Sequence, residues 1–371
     1  MNNKSISWHV INDVLELKKI SKQWQCLAEN SINSNLFSSP QWVLNWFEVY
    51  WQKNWKLYVI VGFYNKELVA MLPAYIQHST RWPHISTLYP LGQGEPEDEE
   101  VMSEYCDILL LPEYIEQVTT ELSEQVTQLK VDQIIWHSVL VNSAINSLLT
   151  KLYNVPSITT NYRYCVDRSN WRIKQLSKNT RSRYKRSCNQ LSKLEHKFQW
   201  ISADEYDTYA QHMIEYHQAR WNKKGKLGAF AQENFQLFHQ KFMMNDEKKF
   251  INISALIVNN KPIAINYYLA YNSTLYFYQC GWDEVNYSHL SPGLSLHLWS
   301  IENTEKPFYD FMKGELSDSY KGKFECQQQA MTNIIISINR WKLMINKLII
   351  KLKTNNYLKK LKTSINLFKQ H

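Results

Sequence analysis

Tyr309-Asp310-Phe311-Met312-Lys313-Gly314-Glu315, followed by Tyr320-Lys321 and Lys323-Phe324, is the stretch on which the reading of the fold turns. An aromatic, strand-like run ends in Asp310, Lys313 and Glu315, where an apolar strand would end in apolar residues. It lies behind a helix that opens at Ser291-Pro292-Gly293. Ionisable groups at a strand end sit where a cleft can shift their proton affinities, so the stretch predicts both the last strand of an α/β unit and a site beside it.

Working backwards, the pattern predicts strands over 250–258, 262–271 and 275–280 and a helix over 293–303, with the strand at 308–312 closing the unit. Asn259-Asn260-Lys261 and Asn272-Ser273 supply hairpin turns. Upstream, helices are expected over 203–225 and 233–244, and a basic helix over 177–196. The first half opens with a helix-containing segment at 8–30. Ser39-Pro40 then starts a second helix carrying Trp42, Trp46 and Trp51, with serine able to cap and proline in the first turn. Strands over 56–64 and 67–77 are joined by Asn65-Lys66, and 79–104, rich in Pro, Gly and acid, reads as loop. A strand at 107–111, a helix at 113–129 and a strand at 133–137 imply a mixed or parallel sheet. At 371 residues the chain exceeds one ordinary core.

Three blocks carry a family likeness: Phe37-Ser38-Ser39-Pro40-Gln41-Trp42, the basic run from Ser177 to Arg186, and the stretch at 309–321. In this order they resemble the BioF2-like or CelD (BcsL) acyltransferases of the GNAT superfamily, relatives of the Fem peptidyltransferases. The resemblance implies an α/β fold of two tandem GNAT-like lobes with mixed sheets flanked by helices: 1–165, then a catalytic lobe at 166–335. A basic amphipathic tail follows at 336–371. It also implies acyl transfer from acyl-CoA, used as a co-substrate, to an amine or hydroxyl acceptor, a small molecule or a sugar of envelope or exopolysaccharide synthesis. A Fem-like aminoacyl-tRNA donor and a non-catalytic scaffold are the alternatives.

Free backbone N–H groups and the positive end of a helix favour an anion. By the resemblance, Ser291, Gly293 and Leu294 are the donor-binding position, although they depart from the common Gln/Arg-x-x-Gly-x-Gly/Ala loop. His217, Arg220 and Trp221 share one helix face. His217 has the proton affinity of a general base, and Arg220 and Trp221 suit substrate binding. Glu315 is the competing base, with Asp310 a further acid–base candidate, and Lys313, Tyr320 and Lys321 suit substrate contacts. Salt-bridge partnership is the other reading of these charges. Tyr278 is either the acid that protonates a departing thiolate, as the resemblance implies, or a strand aromatic.

The net charge of +8 is concentrated in two places. The run from Lys178 to Arg186 fits a phosphate-bearing ligand, a tRNA backbone or a solvated helix face, and with no recognition motif it does not predict sequence-specific nucleic-acid binding. Beyond Glu325 no acid occurs, while lysines alternate with Trp341, Ile and Leu. That is the pattern of an interfacial helix on an anionic membrane surface, or of a helix packed on the protein. Six cysteines without CxxC spacing predict free thiols and no metal site. With no apolar leader or span in the sequence, a cytoplasmic protein is expected, peripheral on the inner membrane face if the tail binds lipid.

Overall fold

The computed structural model describes residues 5–246, 249–317 and 320–353. In chain order its first half holds β1 (Ser7–Ile11), α1 (Val14–Lys19), α2 (Ser21–Asn30), α3 (Pro40–Tyr50), β2 (Trp55–Leu57), β3 (Val59–Tyr64), β4 (Glu67–Leu72), β5 (Ala74–His78), β6 (Ser86–Pro90), β7 (Leu109–Leu110), α4 (Ile115–Thr127), β8 (Gln133–Leu140), α5 (Ala144–Tyr153) and β9 (Thr159–Asp167). The second half holds α6 (Lys178–Leu191), β10 (His196–Trp200), α7 (Tyr206–Lys223), α8 (Glu233–Met244), β11 (Ile251–Val258), β12 (Lys261–Tyr271), β13 (Thr274–Trp282), α9 (Glu284–Tyr287), α10 (Pro292–Asn303), β14 (Phe308–Gly314) and β15 (Gln327–Ser337). Residues 340–353 form a further helix.

Eleven strands form one mixed sheet in the order β10-β11-β12-β13-β14-β9-β15-β8-β6-β5-β2, and β1-β3-β4-β7 form a second, smaller sheet. The expected α/β architecture, a mixed sheet flanked by helices, is therefore present. Local chemistry explains its best-defined parts. Ser39 Oγ accepts from the Trp42 backbone N–H and Pro40 occupies the first helical position, so α3 starts where predicted. Its Trp42, Trp46 and Tyr50, one turn apart, are all buried. Asn65 and Lys66, and likewise Asn259 and Asn260, take positive φ, as a two-residue hairpin turn of this twist requires.

The strands expected over 56–64 and 67–77 are each divided. β3 and β4 pair in the small sheet while β2 and β5 pair in the large one. The switch falls at Tyr58 and Pro73, and proline cannot donate to a ladder. β1 and β6 occupy segments expected as helical lead-in and loop. Two strands decide the connectivity between the halves: β15, the last, lies between β8 and β9, and Cys165 of β9 is opposite both Asp310 and Gln327. Position 165, the expected lobe boundary, thus falls within a central strand.

Candidate active site at the divergence of β13 and β14

β13 and β14 run parallel but pair at only three positions, Thr274 with Phe308, Leu275 with Tyr309 and Tyr276 with Asp310. Beyond these pairs the ladder stops, and the chain from β13 to β14 passes through α10. The start of α10 therefore follows the β13 end of the opening and the charged end of β14 faces it from the other strand, which is where an open parallel sheet holds ligands.

On the α10 side Ser291 is left-handed, φ 50°, and precedes Pro292. Its Oγ accepts from Arg183 Nε of the basic helix α6 at 2.8 Å. A side chain added at Gly293 would meet only the Trp282 ring, at 3.8 Å, so the helix start is open. Arg220 lies over that same Trp282 ring at 5.9 Å. Leu294, in contrast, is buried in the core and offers its backbone alone. Arg183 thus reaches the residue before this helix N-terminus and Arg220 the indole beside it, a setting suited to a phosphate. The rest of the basic run, Lys178, Arg181, Lys185 and Arg186, is exposed along α6.

On the β14 side Met312 has φ 61°, and the register with β9 shifts between Asp310 and Lys313. Side chains with sequence-distant partners hold this bulge. Asp310, fully buried, accepts from Arg163 Nε at 2.7 Å and from the Met312 N–H at 2.7 Å. Lys321 Nζ donates to the carbonyls of Phe311 and Lys313. The Lys313 backbone N–H donates to Glu104 Oε2 at 2.9 Å and its Nζ to Ser138 Oγ at 2.9 Å. Glu104 is 1% exposed with Oε1 unpartnered, and burial, against the pull of Lys313 and Lys321, pushes it up to about 6.

Lys313 also lines a cleft of about 400 Å³ together with Glu95, Glu100, His137, Ser138 and Asn333. Glu95 is fixed by the Val101 N–H at 3.0 Å and by Trp46 Nε1 at 3.0 Å, and burial raises it from 4.5 to about 7. Burial pushes His137 the other way, toward the neutral imidazole. A carboxylate that ionises near neutrality, in a cleft that also holds an ammonium group, can take a proton from an amine or hydroxyl.

The remaining predicted residues separate by environment. His217 is buried on α7. Its Nδ1 lies 3.2 Å from the Cys280 carbonyl, Nε2 has no partner, and burial lowers its proton affinity. Trp221, one turn on, packs 6.0 Å from the His217 ring. The Tyr278 hydroxyl donates to the Val101 carbonyl at 2.6 Å and lies 3.2 Å from His239 Nε2, so it is engaged on the face of β13 toward α8. Glu315 is exposed, and only its backbone carbonyl enters the fold, accepting from Tyr164 Oη at 2.8 Å. Tyr320 packs on His297 and Phe324 at 5.9 and 5.5 Å, its hydroxyl pushed up by burial and Cys280. Glu95, Glu104, His137 and Arg163 were not singled out in the sequence. Its one signal was the acidic loop at Gly92–Glu100, whose Gly92 and Gly94 take φ of 99° and 102°.

Residues 178–322 match the family model of an acetyltransferase (GNAT) domain. The matched segment therefore contains α6, α10, the divergence of β13 and β14, and Lys321, whereas Glu95, Glu104, His137 and Arg163 come from outside it. Among solved structures the chain is similar to FemX, at 8% identity and a TM-score of 0.59 over 90% of this chain and 98% of that one. It is also similar to L-PGS from Bacillus licheniformis, at 12% identity and a TM-score of 0.52 over 89% and 96%. At these identities the likeness concerns the fold, and it extends over both halves. No curated protein matches the sequence. Among the described residues no group of His, Cys, Asp and Glu is placed to hold a metal ion, and no helix is long and apolar enough to cross a membrane.

Proposed function

We propose that the protein is a GNAT-type acyltransferase of the BioF2-like kind that moves an acyl group from acyl-CoA to an amine or hydroxyl acceptor, a sugar of an envelope polymer being the acceptor class. The lobes in this reading are 1–165 and 166–335, with a tail at 336–371. The observation that carries it is the opening between β13 and β14, with an anion-suited helix start on one side and a carboxylate–lysine cleft on the other. The donor's phosphates lie at Ser291, Gly293 and Leu294, with Arg183, Arg220 and Trp282 around them. The acceptor lies in the cleft with Lys313 and Glu95. Glu95 takes its proton, the acceptor N or O bonds to the acyl carbon, the ammonium group of Lys313 offsets charge on the carbonyl oxygen, and the C–S bond breaks. The thiolate then recovers the proton, and direct transfer leaves no covalent enzyme intermediate. His217, with its free Nε2, is the alternative base, while Tyr278, Asp310, Tyr320 and Glu315 position the opening and its rim. The acceptor chemistry fits a cytoplasmic enzyme at the inner membrane face.

The exposed bases along α6 favour a second reading, an aminoacyl-tRNA donor held by its phosphate backbone, in which an ester C–O bond breaks instead. Binding of CoA, acetyl-CoA, longer acyl-CoAs and charged tRNA to the full chain across a salt series separates the two. An acyl-CoA that binds and supports transfer of its labelled acyl group supports the first. Binding of charged tRNA alone, weakening steeply with salt, replaces it with the second, and binding of neither overturns both.

A further inference from the structure

A further cleft lies away from this site. It has a volume of about 720 Å³ and sits beside β2, the edge strand of the large sheet, with β9, β15, β8, β6 and β5 between β2 and β14. Its wall is aromatic: Phe47 and Trp51 from the end of α3 stack at 4.2 Å, and Trp55 meets Trp51 edge-on at 5.8 Å. Tyr58, His78 and Asn12 complete the lining used here. Two of these side chains have ring nitrogens without a hydrogen-bond partner, Trp55 Nε1 and His78 Nε2. Trp55 is only 5% exposed. A buried polar group left unpaired is costly, and a ligand hydroxyl can satisfy it.

We propose that this cleft is a saccharide-binding site that receives one pyranose ring of a glycan. A pyranose has the matching amphipathic form, with one face of C–H groups to lie on an indole and a rim of hydroxyls that both donate and accept. The Trp55 Nε1–H donates to a ring hydroxyl oxygen. His78, held neutral by burial and by Lys56, takes part through Nε2 in whichever sense its tautomer sets. The same surroundings disfavour a nucleotide, the other flat ligand an aromatic wall accepts. The helix start in this cleft, at Val14, is already capped by the Asp13 carboxylate, which accepts from Leu15 N at 2.8 Å and Glu16 N at 3.0 Å. Those donors are therefore spent and a negative charge stands where a phosphate would lie. Lys56 and Lys130 lie at the exposed rim.

The test is calorimetric titration of the full chain with methyl β-glucopyranoside, methyl N-acetyl-β-glucosaminide, cellotriose and chitotriose, with UMP and UDP alongside. Trp51→Ala and His78→Leu are the cleft variants, each checked for an unchanged thermal transition, and Lys313→Ala is the control in the other cleft. The expected result is binding of a saccharide that weakens about tenfold or more in Trp51→Ala, a loss of about 1.4 kcal/mol. It should weaken in His78→Leu and persist in Lys313→Ala. Should Trp51→Ala fail to fold, His78→Leu decides alone. The proposal is overturned if no saccharide of the panel binds, if binding survives the folded cleft variants unchanged, or if a nucleotide binds and is lost in them.

Discussion

Replacing Glu95 by glutamine tests the acceptor cleft and its electrostatics in one variant. Burial raises the Glu95 carboxyl from 4.5 to about 7, against hydrogen bonds from Val101 and Trp46 that lower it. Folding therefore favours the neutral acid. The associated stability is fully present below about pH 4.5 and is lost as pH rises through about 7. A shift of this size corresponds to about 3 kcal/mol. Since Glu95 lines an open cleft, solvent screening reduces the measurable part to about 2 kcal/mol. Glutamine retains an acceptor for the Val101 N–H and cannot titrate. Denaturant unfolding of both proteins between pH 4 and pH 8 should show the wild type gaining about 2 kcal/mol on the variant as pH falls. If Glu95 is also the base, turnover in the variant should drop by roughly 10²–10⁴-fold, and the wild-type acid limb near pH 7 should vanish. Parallel stability curves would refute the buried-carboxylate reasoning. A variant of near-normal turnover would remove Glu95 from the chemistry and return the role to His217, whose replacement by alanine is then the decisive measurement.

Three further outcomes are expected. Gly293→Val should leave the thermal transition in place, because its Cβ meets only the Trp282 ring, yet weaken acyl-CoA binding about tenfold in titration. Asp310→Ala should lower unfolding stability by about 3–5 kcal/mol, since it leaves Arg163 without the fully buried carboxylate opposite it. Removal of residues 340–371 should release the protein from anionic vesicles in a flotation assay while the rest of the chain stays folded. Cooperative unfolding instead would show that Leu343 and the Lys342–Asp132 ion pair at 2.7 Å anchor a packed helix.

Much of the fold was legible where the deciding chemistry is local. The Ser39-Pro40 helix start and the asparagine turns of the β3–β4 and β11–β12 hairpins are fixed by neighbouring residues, and they stand where the sequence put them. β9 and β15 were missed because each is defined by its partners: β15 runs from three glutamines, Gln327–Gln329, to three isoleucines, Ile334–Ile336, and gains its place between chain segments far upstream. The site was half legible for the same reason. Lys313 and Lys321 advertise themselves at a strand end, but Glu104, which accepts from the Lys313 N–H, is 209 residues away. The bulge at Met312 also re-aims the strand end, and Glu315, a candidate base from its place beyond Gly314, is exposed. The tail, 336–371, reads from its sequence as an interfacial helix or as one packed on the protein. Among its described residues, Leu343 is buried and Trp341 is 76% exposed, while 354–371 lie outside the described residues.

The charges around the end of β14 bear on why so unfavourable an arrangement exists. Arg163, Lys313 and Lys321 surround Asp310 and Glu104, two carboxyl groups almost without solvent contact. Gathering such groups inside a protein costs desolvation that mutual attraction seldom exceeds, and apolar residues of similar size commonly give an equal or more stable core. Fold stability is therefore a weak reason for this cluster. Its components are also unequal in purpose. Arg163 and Asp310 satisfy one another, and Lys321 is spent on carbonyls that pin the bulge, whereas Lys313 gives only its backbone N–H to Glu104 and keeps its ammonium at the cleft wall, against a serine hydroxyl. Lys313 thus presents its positive charge to the cleft, whose wall also carries Glu95 and Glu100. Under the proposed reaction that is the charge an acyl carbonyl oxygen acquires in reverse as the acceptor attacks, so the attraction grows along the reaction path. Lys313→Met, which preserves the stem and removes the charge, should then depress turnover far more than it alters acceptor affinity. Equal losses in both would make Lys313 a binding group and nothing more.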